Sequence, residues 1–474
     1  MTPLPSERDF TLPSLATALD IPQLRADLTG RVITPDDSEY DEARVVVMGG
    51  IDRRPAVIAR VANAADVARV VALARETGLE LAVRSGGHSG AGHSATDGGI
   101  VLDLRDMKGL DIDVDGRTAW AETGLTAAEV TAALASRGLV IGFGDTGSVG
   151  IGGITLGGGV GYLGRTHGLT IDSLLAAEIV TADGQLLRVD AESHPDLFWA
   201  IRGGGGNFGV ATRFQFRLHE LDAIVGGMLV LPAAADLIAG FIAAAEAAPD
   251  ELSTIANVMP APPMPFLPEE VHGQLVILAT LAYAGGAEAG ERAIAPFRAL
   301  AVPIADMVRP MPYPELFPPD DESYHPLAVA QTLFVDDIDL GVAKTIMEFL
   351  NASDAAMRVA QLRVLGGAMA RVPADATAYA HRASRIMVNV ASFYDGPEDR
   401  PVREAWVSEF AAALRQDDDG AYVNFLGDEG QERVRAAYPG ATWDRLTTIK
   451  SRYDPTNLFR LNQNIPPMGD GRVR

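Results

Sequence analysis

Four glycine-dense segments in the first half of the chain are the strongest candidates for ligand chemistry. They span residues 84–89, 147–153, 157–164 and 203–209, and the first of them contains His88. Glycine at this density costs backbone entropy, which is offset where backbone N–H groups closely approach a ligand or where φ is positive. The segments therefore predict a site for a diphosphate group. Tight turns packed against one another are the alternative interpretation.

Two of these segments formally match G-x-G-x-x-G, one at 159–164 and the other at 204–209. That motif indicates a nicotinamide dinucleotide site when it joins the first strand and helix of a βαβ unit, with an acidic residue about 20 positions later. Neither match follows such a strand, and both lie in the middle of a predicted domain. We therefore expect a different architecture to hold the dinucleotide.

The composition of the 474-residue chain excludes several other kinds of site. It contains no cysteine, which rules out disulfides, thiolate zinc sites, iron–sulfur clusters and a cysteine nucleophile, and we predict no metal site. The formal net charge of −24 argues against nucleic acid and against an anionic membrane surface as partners. No apolar run reaches the roughly 18 to 20 residues that span a bilayer, and no secretory signal is apparent. We expect a soluble, cytoplasmic protein that is a monomer or a homodimer.

The first half of the chain alternates short β-type runs with amphipathic helices. Apolar residues recur at helical spacing over 66–76, and Gly78 supplies a stop signal for that helix. Thr126 and Glu129 form a capping box before a second helix, which we expect to end at Gly138. This alternation predicts α/β units that carry the glycine-dense segments on their connections.

Beyond about residue 222 the runs become longer and glycine becomes rarer. Strands are predicted over 274–283, 357–364 and 386–394, and helices over 233–247, 342–350 and 443–452. Such strands are typical of a half-buried sheet, with the helices covering one face. Together with the length of the chain, this change predicts more than one domain.

Four stretches carry a resemblance to a known family. They read V-R-S-G-G-H-S at 83–89, S-V-G-I-G-G-I-T-L-G-G-G-V-G at 148–161, D-L-F-W-A-I-R-G-G-G-G-N-F-G at 196–209, and Y-D-P-T-N-L-F followed by N-Q-N-I-P between 453 and 466. In this order they resemble the FAD-linked oxidases of the vanillyl-alcohol-oxidase superfamily, and within it the berberine-bridge-enzyme-like group.

The resemblance implies an α+β fold with three parts. Residues 30–222 would form an FAD-binding domain of the PCMH type, built from two α/β subdomains, and residues 437–474 would complete it. Residues 223–436 would form the substrate domain, an antiparallel sheet covered by helices. This division agrees with the change in sequence character near residue 222.

The resemblance also implies how FAD is held. His88 matches the histidine that bonds to the flavin 8α-methyl group, whereas the nearby His93 is expected to be an ordinary loop histidine. Many relatives form a second bond through a cysteine, but that position is Thr146, so the chain resembles the monocovalent members, among them 6-hydroxynicotine oxidases. The residues predicted to bind the cofactor are Arg84, Ser85, Gly86, Gly87, His88, Ser89, Ser94, Thr146, Gly147, Ser148, Val149, Gly152, Gly153, Gly158, Gly161, Gly209, Val210, Asn462 and Asn464.

The implied reaction is hydride transfer from a small organic substrate to FAD, with O2 as the electron acceptor and H2O2 as product. The substrate could be an alcohol, a sugar, an N-heterocycle or a polyketide. Val149 matches a position where a small side chain leaves the flavin open to oxygen, which favours an oxidase. The alternatives are a flavin dehydrogenase with another acceptor and a flavin-containing binding protein without turnover.

The catalytic base is where this chain departs from the family pattern. Relatives place a tyrosine at the last position of Y-x-N-Y, and here the motif ends in Phe425. The usual base is therefore either missing or replaced by Tyr422, which could also simply pack against the flavin ring. Gln361 and Arg363 lie two apart on a predicted strand and share a face, where relatives place groups that contact substrate. Arg363 would suit an anionic or carbonyl-bearing substrate, or it could simply pair with a carboxylate.

Overall fold

The computed structural model of the protein describes residues 19–317, 321 and 323–469. Within these residues the strands form a four-stranded, a five-stranded and an eight-stranded sheet, together with a short two-stranded ribbon. This mixture of helices and sheets confirms the predicted α+β class. The predicted domain bounds stay a prediction, and the last residues of the C-terminal segment, 470–474, lie outside the described part of the chain.

The four-stranded sheet has the spatial order Arg31–Ile33, Val57–Arg60, Ile100–Asp103 and Leu81–Arg84. Its last three strands are parallel, and helices Ile21–Asp27, Tyr40–Ala43 and Ala64–Thr77 accompany it. The last helix confirms the prediction over 66–76: Asn63 caps its start by accepting a bond from Asp66 N, and Gly78 ends it with φ +69°. Because strand Leu81–Arg84 stops where the segment 84–89 begins, the sheet carries that segment at its edge.

The five-stranded sheet is antiparallel. Its spatial order is Leu110–Asp113, Thr118–Glu122, Val210–Arg217, Leu174–Val180 and Leu186–Asp190, and the ribbon pairs Leu139–Val140 with His219–Glu220. Helices Ala127–Ala135, Ile151–Gly157, Gly164–His167 and Pro195–Ala200 belong to this part of the chain. The predicted capping box of Thr126 and Glu129 is confirmed. The helix that it starts ends at Ala135, before the expected Gly138, which instead forms a turn with φ +66°.

The eight-stranded sheet is also antiparallel. Its strands are Ile224–Pro232, Leu252–Pro260, Leu275–Tyr283, Ala305–Asp306, Arg309–Met311, Ala328–Val335, Arg358–Val364 and Ile386–Phe393. The accompanying helices are Ala235–Ala247, Ala287–Arg298, Leu340–Ala352, Ala368–Arg371 and Arg400–Leu414. Buried residues such as Ile238, Ile346 and Phe410 share one core with this sheet. The strands and helices predicted from the sequence in this region are confirmed, with ends that differ by a few residues.

The chain returns to the first two sheets at its C-terminus. Helices Gln431–Ala437 and Ala441–Tyr453 precede an irregular stretch, and single 3₁₀ turns occur at Thr170–Asp172, Gly205–Asn207, Glu269–Val271, Tyr313–Leu316 and Val423–Phe425. Phe459 enters the core of the four-stranded sheet, and Ile465 enters that of the five-stranded sheet. The fully buried Lys450 donates hydrogen bonds to Asp454 and to the Phe459 carbonyl. This segment therefore packs as an integral part of the first two sheets.

None of the helices in the described part of the chain combines the length and the apolar character needed to cross a bilayer.

Candidate active site

All four glycine-dense segments contribute to the wall of one cavity of about 360 Å³. The wall is completed by residues 422–426, by the C-terminal stretch around 459–463 and by strand residues such as Val83 and Ala211. This volume lies in the range of ordinary ligand pockets. The cavity at the predicted ligand site thus lies between the first two sheets and the C-terminal stretch around 459–463.

The first two glycine segments are held against each other by backbone contact. A Cβ built on Gly86 would lie 2.2 Å from Gly150 N, a distance that no real side chain tolerates. Ser85 Oγ ties the same junction, because it donates to the Thr123 carbonyl at 2.6 Å and accepts from Gly152 N at 3.2 Å. The close approach of these two segments therefore requires glycine at position 86. Two residues further on, His88 lies on the wall of the cavity.

Most of the residues predicted to bind the cofactor line this cavity. They are Ser85, Gly86, Gly87, His88, Ser89, Ser94, Thr146, Val149, Gly152, Gly153, Gly209, Val210 and Asn462. The others, Arg84, Gly147, Ser148, Gly158, Gly161 and Asn464, lie outside its lining. Arg84 shows the reason: it is 1% exposed, and its guanidinium donates to the carbonyls of Ala43 and Ser94. Burial lowers the pKa of Arg84 to about 10, and its geometry supports the loop rather than a ligand.

The cavity wall fits the groups of a flavin dinucleotide. Ser94 Oγ and Asn462 Oδ1 are buried, and neither has a hydrogen-bond partner among the described residues. Buried polar atoms are normally satisfied, so these two suit hydroxyl, phosphate or amide groups of a ligand. A Cβ built on Gly153 or Gly206 would meet no protein atom within 4 Å, so the backbone there borders open space. Polar atoms and bare backbone together match what FAD requires.

A chain of polar side chains reaches the cavity from the eight-stranded sheet. Gln361 donates to Asn257 Oδ1 at 2.9 Å, and Arg363 donates to Gln361 Oε1 at 2.6 and 3.0 Å. Arg363 also pairs with Asp145 at 2.6 Å, and its guanidinium carbon lies 5.0 Å from the centre of the Phe425 ring. Gln361 and Arg363 therefore do share a face. The charge of Arg363 is already balanced, which removes the reason to expect an anionic substrate.

Tyr422 lines the cavity, but its hydroxyl is already engaged in hydrogen bonds with the protein. Its phenol oxygen accepts hydrogen bonds from Gly159 N at 2.9 Å, Val160 N at 3.2 Å and Asn424 Nδ2 at 2.9 Å. A neutral phenol has two lone pairs, so this oxygen has no room for a further donor. Burial raises the pKa of Tyr422, although the three donors oppose that rise. The hydroxyl therefore anchors the Gly159–Val160 turn.

Several cavity residues escaped the sequence reasoning. Asp145, Asn207, Asn424, Tyr438 and Gln463 all line the wall. Asp145 is adjacent to Thr146 inside a glycine-rich stretch, and an acidic side chain in that setting was the available signal. Asn207 also lies in a glycine-dense segment. Nothing in the local sequence marks Tyr438, which reaches the wall only because the C-terminal part of the chain returns to the first two sheets.

Two family profiles match the chain in the regions that form this cavity. The FAD binding domain family matches residues 55–190, and the berberine and berberine-like family matches residues 421–466. The first contains His88 and the glycine segments up to 164, and the second contains Tyr422 and Asn462. The matched regions are therefore the ones that the fold brings together.

Several relatives resemble the chain over almost its whole length. The (R)-6-hydroxynicotine oxidase of Paenarthrobacter nicotinovorans is 30% identical over 472 residues, which cover 96% of this chain and 99% of that protein. The uncharacterized FAD-linked oxidoreductase YgaK of Bacillus subtilis is 30% identical over 463 residues, or 94% and 98%. The crystal structure of 6-hydroxy-D-nicotine oxidase from Arthrobacter nicotinovorans superimposes with a TM-score of 0.82 at 29% identity, covering 92% of this chain and 98% of the other.

Relatives that are 30% identical over more than nine-tenths of the chain show the family of the protein. Neither G-x-G-x-x-G match joins a first strand to a helix: 159–164 connects helices Ile151–Gly157 and Gly164–His167, and 204–209 precedes strand Val210–Arg217. The protein belongs to the berberine-bridge-enzyme-like family of FAD-linked oxidoreductases, and FAD is its cofactor.

Proposed function

We propose that this protein is an oxidase that holds FAD through a single covalent bond to His88, oxidises a small organic substrate and passes the electrons to O2, forming H2O2. The proposal is based on the observation that His88 and Thr146 both line the same cavity. The first supplies the imidazole for one bond, and the second cannot supply the thiolate for another.

The residues proposed to hold FAD fall into two groups. The loop from Ser85 to Ser89 and the glycines at 150–153 would surround the cofactor with backbone N–H groups, while Ser94 and Asn462 would satisfy its polar edges. When bound, FAD supplies the acceptor for the hydride of the substrate. The protein contributes the positioning, and its buried wall keeps water away from the reacting groups.

The catalytic residues are proposed to act through position. Gln361 and Arg363 do not line the cavity themselves. They would act by orienting Asp145, which does line it. Tyr422 would fix the turn at Gly159 and Val160, which lies against the cavity, as a positioning residue. Val149 lines the same wall, and its small side chain would leave space for O2.

The relatives act on different classes of substrate, so they do not single out one of the classes expected from the sequence. Relatives include an (R)-6-hydroxynicotine oxidase and, at 29% identity over 450 residues, a xylooligosaccharide oxidase from Thermothelomyces thermophilus. An N-heterocyclic amine and an oligosaccharide are accordingly the first substrates to try, followed by primary alcohols and phenolic polyketides.

Intact mass spectrometry of the denatured protein tests the covalent bond. We expect the mass to exceed that of the chain by one FAD, and the modified peptide to contain His88. His88→Ala should remove the added mass, while the control His93→Ala should retain it. An unmodified His88 peptide from a yellow wild-type protein would contradict the assignment.

Turnover with the four substrate classes tests the acceptor. Formation of H2O2 in step with substrate loss supports the oxidase. A flavin that is reduced by substrate but reoxidised only by an artificial dye, and slowly by air, would instead identify a dehydrogenase. A flavin that no member of the panel reduces would favour a binding protein without turnover.

A further inference from the structure

Phe425 occupies the family position of the catalytic tyrosine, and Arg363 contacts both its ring and an acidic side chain. Arg363 connects the two, because one Nη donates to Asp145 Oδ2 at 2.6 Å while its guanidinium carbon lies 5.0 Å from the Phe425 ring centre. Asp145 and Phe425 both line the cavity, whereas Arg363 does not. The carboxylate is thus the member of this ion pair that a substrate in the cavity can reach.

Exposure and hydrogen bonding also indicate that the Asp145 carboxylate is accessible from the cavity. The side chain of Asp145 is 23% exposed and that of Arg363 is 5% exposed. Arg363 engages Oδ2, whereas Oδ1 accepts a hydrogen bond from Thr146 Oγ1 at the long distance of 3.5 Å. A carboxylate oxygen has two acceptor positions, so Oδ1 retains the capacity to accept a strong hydrogen bond.

The pair is also rigidly supported. Arg363 is oriented by Gln361, and Gln361 by Asn257. Asn257 and Gln361 face each other in the register of two neighbouring strands, so the sheet fixes the whole chain of polar groups. Support of this kind from outside the site is what holds a catalytic group in a productive position.

We propose that Asp145 accepts the proton that the substrate loses during its oxidation. The proposal rests on the proposed function. The O–H bond of an alcohol, or the N–H bond of an amine, breaks and its proton joins Asp145 Oδ1. The C–H hydrogen leaves with its electron pair to the oxidised flavin, and a C=O or C=N bond forms. Asp145 therefore selects substrates with a hydrogen-bond donor on the carbon that is oxidised.

Among the described residues that line the cavity, Asp145 carries the only carboxylate. Burial raises the pKa of Tyr162 and of Tyr313, and the nearby Asp145 charge raises both further. Burial also raises the pKa of Tyr422. These three phenols consequently stay protonated at neutral pH, while Arg363 supplies the balancing cation.

The flavin reduction potential and the pH profile test the proposal on the flavin-loaded protein. In Asp145→Asn, Arg363 loses its counter-charge, and the added positive field favours the anionic reduced flavin. We expect at least a tenfold shift in the equilibrium with a reference dye, which is about 30 mV for a two-electron couple. We also expect kcat/KM to fall about 100-fold and its acidic limb to disappear, with the best substrate of the four-class panel.

Two further variants separate charge from proton transfer. Asp145→Asn with Arg363→Gln restores neutrality, so the potential should return to the wild-type value while the acidic limb stays absent. Asp354→Asn breaks an aspartate–arginine pair outside the cavity and should change neither quantity. An unchanged potential in Asp145→Asn, or a wild-type pH profile, would overturn the proposal. A wild-type protein that lacks bound flavin would contradict the proposed function instead.

Discussion

The cavity wall has two parts of different construction. In line with the proposed function, the part at segments 84–89 and 147–153 is called the flavin end, and the part at Asp145 and Phe425 the substrate end. At the flavin end the wall is largely backbone, and Gly86 packs so closely on Gly150 that no side chain fits between them. At the substrate end the wall is made of side chains, with Arg363 linked to Asp145 across 218 positions of the chain. The first end recognises a ligand that many proteins share, whereas the second can change one side chain at a time. We therefore expect substrate specificity to lie at the second end.

A buried ion pair helps to fix the positions of the two ends relative to each other. Arg382 makes a two-pronged contact with Asp172, at 2.7 and 2.8 Å, between a turn of the five-stranded-sheet region and a loop that precedes strand Ile386–Phe393. Arg165 adds a bond to the Leu365 carbonyl at 2.6 Å. These contacts attach the sheet that carries Arg363 to the part of the chain that holds the glycine segments.

The largest effect should follow from breaking the backbone contact at the flavin end. Gly86→Ala would place a Cβ 2.2 Å from Gly150 N, so the two segments must separate. We expect the purified variant to contain no flavin, measured as the ratio of visible to protein absorbance. Gly90→Ala is the matched control, because its Cβ meets nothing within 4 Å. Full flavin content in Gly86→Ala would show that the cradle does not depend on this contact.

The link between the two ends should come next. Arg382→Gln leaves Asp172 as an uncompensated buried charge, since the two side chains are 2% and 10% exposed. We expect the free energy of unfolding to fall by about 3 to 5 kcal/mol in urea titrations. Arg385→Gln, which breaks an exposed pair with Glu246, should lower it by less than about 1 kcal/mol. Equal losses of unfolding free energy in the two variants would show that the buried pair stabilises the protein no more than the exposed one.

A smaller loss is expected at the turn between the two ends. Tyr422→Phe removes the acceptor of two backbone N–H groups, so unfolding should become easier by about 1 to 3 kcal/mol. The neighbouring Tyr379 is equally buried, but its hydroxyl has no hydrogen-bond partner among the described residues, so Tyr379→Phe should be neutral or stabilising. Calorimetry of both variants measures the difference, and a costly Tyr379→Phe would argue against the assigned hydrogen bonds.

The last prediction concerns pH and a region outside the cavity lining. His219 stacks on His167, with ring centres 4.0 Å apart. Burial, then the neighbouring His167, lowers the pKa of His219 from 6.5 to about 4. The unfolded chain therefore gains a proton near pH 6.5 while the folded protein resists it, so the stability from neutral His219 is present above pH 6.5 and lost as pH falls to about 4.

His219→Gln should accordingly flatten the decline of the thermal midpoint between pH 6.5 and 4. The more exposed His325 provides the control His325→Gln, which should leave the slope as in the wild type. Flavin content should remain unchanged in both variants, because neither histidine lines the cavity. A wild-type slope in His219→Gln would assign the acid sensitivity to other groups.

By itself the sequence determined the flavin end and the class of fold. Close approach of backbone to a ligand or to another segment demands glycine in any surroundings, so the requirement is written locally, at 84–89 and 147–153. The helix over 66–76 and the strands around 357–364 and 386–394 were likewise predictable, because caps and apolar spacing are local signals. The absence of cysteine restricted the proposed covalent bond to His88.

The tertiary structure decided the substrate end. The sequence offered Tyr422 for the missing base and gave Arg363 a preference for anions, since it could not show that the first is engaged by three N–H donors or that the second is paired with Asp145. Those partners lie far apart in the chain and meet only when the eight-stranded sheet packs against the glycine segments. A site built from side chains depends on that packing, which no local spacing encodes.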